Sequence, residues 1–266
     1  MASRSYEIGS LRFGIRTTEG AFTEWMDEVL GAYRVGDEVP AYFSVVVGCS
    51  DGSKARSVKE FNILYRGVTR IVRTLHIPTL GRSLLSELER LTFVDRDDAI
   101  FVRALPIVSN GTVALVPSNV AEILSDLGRP VRRAGVALPA RSAVAIDAKT
   151  GALVPTGGLP GVPADALDRL VRKLPGSERS DRFELEEPTK PDVVLTLGSA
   201  RSAPLLEPAS RGQALQSLTT LVMNLHRTGG AALRALKETV SAARCSRLNT
   251  IQPEPLLEAV RSALRS

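Results

Sequence analysis

The sequence predicts an α/β fold, a core of strands and helices preceded by a smaller β-rich part, and three observations carry that expectation. Residues 112–127, TVALVPSNVAEILSDL, form an apolar run that turns directly into an amphipathic segment. The first 66 residues are dominated by short strand-like runs, and the last third is apolar at helical spacing.

The run Thr112–Val116 is opened by Asn110-Gly111 and closed by Pro117, the pattern of a strand covered on both faces. After it, Val120, Ile123, Leu124 and Leu127 recur at i, i+3, i+4 and i+7, which predicts a helix. Asn119 followed by Glu122 reads as its capping box, and Gly128 and Pro130 as its end. A P-loop would occupy this strand-to-helix turn, because glycines let backbone N–H groups face phosphates while a lysine meets the terminal one. The turn here offers Pro117, Ser118 and Asn119, with neither glycine nor lysine.

Upstream, the β-rich segment covers roughly residues 5–66, interrupted by the helix-like TEWMDEVLGAYR in which Trp25, Val29 and Tyr33 would share a face. Gly52-Ser53 reads as a hairpin, and Leu84, Leu85, Leu88 and Leu91 predict a helix over about 82–91. Downstream, ADALDRLVRKL reads as a helix. The polar stretch from Pro175 to Pro191 lacks apolar periodicity and is expected to be a mobile loop. These signals divide the chain into an N-terminal region, 1–98, and a core, 99–266.

Composition bounds the function classes. The chain has 266 residues, 44% of them hydrophobic, with a mean hydropathy of +0.04, which is enough for a sizeable core. No apolar run is long enough to span a bilayer and MASRSYEIGS is no signal peptide, so a soluble, cytoplasmic protein without a membrane partner is expected. Cys49 and Cys245 have no metal-type spacing and read as two buried thiols. With two histidines far apart, His76 and His226, a metal site or triad is not expected, nor any other cofactor. His226 reads as a helix-end residue interacting with the dipole. The formal charge is +5, but aromatics are only 5% of the chain, which argues against nucleic acid. The densest basic stretch runs from Arg129 to Arg141 and contains Arg132 and Arg133; it reads first as cations complementing a helix C-terminus. Gly157 to Gly161 could form an anion nest, although the interleaved proline favours an irregular connection.

The order of segments resembles the HPr kinase family, and within it the divergent branch of peptide-maturation gene clusters. SYEIGSLRFGIRTT and AYFSVVVG are similar to that branch's opening strands, AIFVRALPIVSNGTVALVP to the strand, hairpin and strand entering the P-loop, and VRRAGVALPARSAVAIDAKTGALVP to the following helix end, strand and hairpin. RGQALQSLTTLVMNLHRTGGAALRALKETVSAARCSRL is similar to its closing helices. The resemblance implies a mixed-sheet, HPr-kinase-like core, and it allows a homo-oligomer, since family members form rings.

Three departures bear on activity. The P-loop is absent, the family's histidine position reads Phe101-Val102-Arg103-Ala104, and its paired acids read Arg141-Ser142-Ala143-Val144, with a lone Asp147 beyond. Phosphoryl transfer depends on positioning and charge neutralisation, so losing all three together predicts a pseudokinase with no catalytic residues. The resemblance then implies a binding or scaffold protein that holds a precursor peptide or a partner biosynthetic enzyme. Ser118, Asn119, Arg132, Arg133 and Arg141 are the candidate ligand-binding residues. The alternative is a nucleotide-dependent phosphotransferase or peptide-modifying enzyme. It would use Ser118 and Asn119 at the helix N-terminus, an arginine for the missing lysine, and Asp147 for magnesium.

Overall fold

The computed structural model describes residues 2–8, 11–49, 61–94, 96–139, 143–154, 166–173, 182–183, 185–198 and 204–265. The chain divides into two compact units, residues 1–92 with 158–179, and residues 93–157 with 180–266. The segment 99–266, expected as one continuous core, therefore contributes a helix to the first unit.

In the first unit, strands β1 (Ala2–Ile8), β2 (Leu11–Thr17), β3 (Ala41–Cys49), β4 (Phe61–Arg66) and β5 (Thr69–Thr74) form a five-stranded sheet in sequence order. All neighbours are antiparallel except β2 and β3, which run parallel because helix α1 (Gly20–Val29) lies between them in sequence. Side chains alternate across the sheet, so Tyr6, Phe13, Ile15, Phe43, Val45 and Leu64 all fall on one buried face. That face packs against α1, α2 (Ile77–Phe93) and α5 (Ala166–Lys173). Trp25 and Val29 are buried as their spacing predicts, but α1 ends at Val29 and Tyr33 falls in a short 3-10 turn, Gly31–Tyr33. Helix α2 starts five residues earlier than the leucine spacing shows, because Pro78 is tolerated in the first turn of a helix.

The second unit is built around β7 (Ala104–Ser109), β8 (Thr112–Pro117), β13 (Val193–Leu197), β14 (Leu206–Pro208) and β15 (Arg244–Leu248), in the order β14-β15-β13-β8-β7. The sheet is mixed. Strands β8, β13 and β15 run parallel, while β7 and β14 pair antiparallel with their neighbours. The β7–β8 hairpin turns through Asn110 and Gly111, with φ of 51° and 80°, the left-handed pair that a two-residue hairpin requires.

Both faces of this sheet are covered, which is why β8 is a continuous apolar run. Ala114 and Val116 enter a core shared with α3 (Ser118–Leu127), α4 (Arg129–Arg133) and α8 (Pro253–Arg265). Val113 and Leu115 point the other way, into a core with α6 (Arg211–Leu221) and α7 (Leu225–Ala242). A second sheet, β11-β10-β6 (Leu153–Val154, Val144–Ile146, Ile100–Val102), closes that core. A short pair joins β9 (Leu138–Pro139) to β12 (Arg182–Phe183).

Several expectations are corrected. Helix α3 begins at Ser118 with Pro117 as its cap and no side-chain capping bond, so Asn119 and Glu122 form no capping box. His226 lies near the N-terminal end of α7, three residues before Gly229 (φ 42°, ψ −117°), where the backbone leaves helical geometry. Arg244–Leu248, read as part of the closing helices, is a strand. Cys245 is a free thiol but only half-buried, and burial still pushes its pKa up. The thiol of Cys49, the Gly52-Ser53 hairpin, the Gly157–Gly161 nest and the first part of the loop expected after Pro175 lie outside the described residues. The rest of that loop is tied down, since Arg182–Phe183 pairs with β9 and Thr189 exchanges backbone hydrogen bonds with Leu153. Among the described residues, no helix is long and apolar enough to cross a membrane.

Candidate functional site

The second unit carries a cleft of about 490 Å³ at the carboxyl ends of the parallel strands β8 and β13. Helix α3 leaves one face of the sheet there and α6 ends there on the other, at the carboxyl-end location where open α/β sheets hold their ligands. One wall is the start of α3, with Ser118 and Asn119, and the other is the last turns of α6, with Gln216, Ser217 and Thr220. Leu197 and Leu221 supply apolar surface, and Arg103 contributes the cleft's charge.

Arg103 stands between β6 and β7, and its backbone ties the walls together. Its N–H donates to the Leu221 carbonyl at the end of α6 (2.9 Å), and its own carbonyl accepts from the Ser118 N–H (3.1 Å). Just upstream, the Met223 N–H donates to the Phe101 carbonyl, and the fully buried Asn224 fixes the same crossing. The Asn224 side chain accepts from Phe101 N–H and donates to the carbonyls of Arg96 and Ala99. Buried backbone groups need such partners, which accounts for a fully buried asparagine in an apolar core. The Arg103 side chain is exposed beside the carboxyl end of α6, where a cation complements the helix dipole.

Among the described residues, the strand-to-helix turn lacks the geometry of a phosphate cradle. A P-loop leaves several N–H groups pointing at the ligand, whereas here the Ser118 N–H is taken by Arg103 and the Val120 N–H by the Asn119 side chain (3.0 Å). Ser118, Ser217 and Thr220 present hydroxyls, yet the described lining contains no histidine or carboxylate to act as a base or hold magnesium. Such a lining can accept and donate hydrogen bonds and offer one positive charge. It has no group suited to moving a proton at neutral pH.

Of the expected ligand-binding residues, the structure brings Ser118 and Asn119 into the cleft and leaves Arg132 and Arg133 out. Helix α3 carries the chain about 15 Å from its start, and Ala137 then pairs with Val108 near the hairpin end of β7, opposite Pro117. Arg132 and Arg133 are exposed there, in the last turn of α4. Arg141 lies outside the described residues. Asp147 does not line the cleft either. Strand register sets Val144 opposite Val102 and Ile146 opposite Ile100, so Asp147 continues away from Arg103. Its carboxylate caps its own turn, accepting from the Thr150 hydroxyl and from the amides of Thr150 and Lys149, and these bonds lower its pKa. Among the described residues, no group of three or more His, Cys, Asp and Glu side chains comes together.

Sequence reading misses Gln216, Ser217 and Thr220 as cleft residues, because α6 reaches the site only through the crossing at Asn224. Arg103 carries a readable signal: it is the one charge between the buried runs IFV and ALPIVS. Comparisons with family models, with curated proteins and with solved structures find no match to this chain.

Proposed function

We propose that this protein is a kinase-like binding protein without phosphotransferase activity, using the cleft between α3 and α6 to hold a peptide or a partner protein. The observation that carries this reading is the Ser118 amide. It sits where a phosphate loop would open toward its ligand, and it is bonded to the Arg103 carbonyl instead. Further support comes from a lining of hydroxyls, amides and one guanidinium, which suits recognition of backbone and polar side-chain groups. The HPr-kinase-like segment order supplies the setting, a bacterial natural-product pathway with a precursor peptide or biosynthetic enzyme as partner.

A photoreactive benzoylphenylalanine at exposed Gln216, expressed in the native host, tests this directly. A discrete polypeptide adduct, identified by mass spectrometry and lost on Arg103→Glu, supports the proposal. Absence of any polypeptide adduct together with turnover of ATP would overturn it.

One observation favours a second reading. Arg103 and the N-terminus of α3 share the cleft, and a cation beside a helix start attracts anions. On that reading the protein is an altered-site enzyme acting on a phosphorylated ligand, and magnesium-dependent nucleotide binding would distinguish it.

A further inference from the structure

A different surface, in the first unit, carries its own ligand chemistry. The face of the N-terminal sheet opposite its core is ordered by strand register into cross-strand rows. Arg16 lies opposite Ser44, Ser44 opposite Tyr65, and Tyr65 opposite Arg70, so one row reads Arg-Ser-Tyr-Arg across β2, β3, β4 and β5. The next row sets Val46 beside Ile63 and Ile63 beside Arg73. Side chains directly opposite one another share a face, and these alternate with the buried Val45 and Leu64.

This face has an unbalanced charge. Strands β2, β3, β4 and β5 contain no Asp or Glu at all. Arg12, on the same sheet, pairs with Glu7 and Asp37, whereas Arg16, Arg70 and Arg73 are exposed and make no ion pair with a described residue. Arg16 is held by the Ser44 hydroxyl (2.7 Å) and Arg73 lies over the Phe61 ring (3.7 Å to its centre), so both guanidiniums are partly positioned. Charged residues on an edge strand also discourage aggregation, which accounts for Arg70 and Arg73 on β5. It does not account for Arg16, which stands on an interior strand.

Between Arg16, Ser44, Val46, Tyr65 and the hairpin tip at Val68 lies a pocket of about 310 Å³. At the end of the sheet, β5 pairs only with β4 among the described strands. A pocket for an apolar side chain, an unpaired strand edge and flanking arginines match the requirements of an extended peptide bearing carboxylates. Single-stranded nucleic acid would need repeated bare rings for stacking. Here the Phe61 ring is covered by Arg73 and Tyr65 is half-buried. We propose that this face docks an acidic, extended peptide, its apolar anchor in the pocket and its carboxylates on Arg16, Arg70 and Arg73. The inference does not use the cleft of the second unit.

The test is fluorescence anisotropy on the full chain with a fluorescein-labelled peptide in which a pair of leucines is flanked on both sides by runs of glutamate. Beside it are measured the same peptide with lysine in place of every glutamate and a labelled oligothymidylate of equal length. The acidic peptide is expected to bind alone of the three and to weaken as salt is raised. Its Kd should rise by about tenfold or more in Arg16→Glu/Arg70→Glu, and stay unchanged in Arg234→Glu, a control on α7. Thermal melting checks that each variant folds. If the double reversal does not, Arg70→Ala/Arg73→Ala takes its place with the same expected direction. No acidic-peptide binding, equal binding of the lysine peptide, tighter binding of oligothymidylate, or insensitivity of the folded variants would overturn the proposal.

Discussion

The amide of Ser118 donates to the carbonyl oxygen of Arg103 across 3.1 Å, joining the first residue of α3 to the crossover between β6 and β7. The bond uses backbone atoms alone, and the Arg103 side chain is exposed. Arg103→Ala should therefore leave stability within about 0.5 kcal/mol of the parent. Arg103→Pro removes the N–H that serves Leu221 and should cost about 1–3 kcal/mol through the orphaned carbonyl. Urea unfolding of the two variants provides the comparison.

Two glycines with left-handed φ separate backbone strain from crowding. At Gly67 (φ 56°) an added Cβ would meet nothing within 4 Å, so Gly67→Ala should lose only the left-handed penalty, about 1–2 kcal/mol. At Gly151 (φ 67°) it would approach Glu238 Cβ and the Thr239 amide to 2.7 Å, where α7 packs on the β10–β11 turn. Gly151→Ala should cost visibly more, by about 1–3 kcal/mol of overpacking. Equal losses in thermal melts would contradict this difference.

Tyr6 is fully buried, and its hydroxyl has no hydrogen-bond partner among the described residues. Burial, followed by the nearby Asp27 carboxylate, pushes its pKa up. A buried hydroxyl without a partner carries its desolvation cost uncompensated, so Tyr6→Phe should stabilise the first unit by about 1 kcal/mol. The ring stacks on Phe13 at 5.7 Å, and phenylalanine retains that contact. A lower melting temperature for the variant would contradict this.

Much of the second unit is legible because its strands and helices meet two covered faces. β8 is apolar throughout since alternate residues enter different cores, and α3 shows a helical stripe because one side packs on α8. The start of α3 is misleading in sequence because Asn119 and Glu122 have capping-box spacing, while the amide that needs a partner finds it in Arg103, distant along the chain. β15 is hidden for a related reason. RCSRL has little strand character, and its ladder with β13 and β14, not its composition, makes it a strand. Arg132 and Arg133 follow closely on Ser118 in sequence, but a straight helix separates them in space.

Glu207 on β14 is bonded to Arg247 on β15, with the guanidinium Nε at 2.6 Å from Oε1. That hydrogen bond, assisted by Asn249, holds the Glu207 pKa below the usual carboxylate value. A lowered folded-state pKa means that the stabilisation is present above the unfolded-state value and is lost as pH falls through the folded one. The stability gap between the parent and Glu207→Gln should thus be open at pH 7 and close in acid below the ordinary glutamate range. Melting temperatures compared across that range test it, and a gap that widened toward acid would have the wrong sign.

Calorimetric titration with ATP and with GTP, each with and without magnesium, bears most directly on the proposal that this strand-to-helix turn binds no nucleotide. A ligand at a hundred times its Kd stabilises the fold by about 2.7 kcal/mol, so binding would also appear as a clear thermal shift. With the Ser118 and Val120 amides already bonded and no carboxylate in the described cleft lining, the expected result is neither heat nor shift at submillimolar nucleotide. A saturable, magnesium-dependent signal abolished by Arg103→Glu would contradict the binding-protein reading and establish a nucleotide site in the cleft.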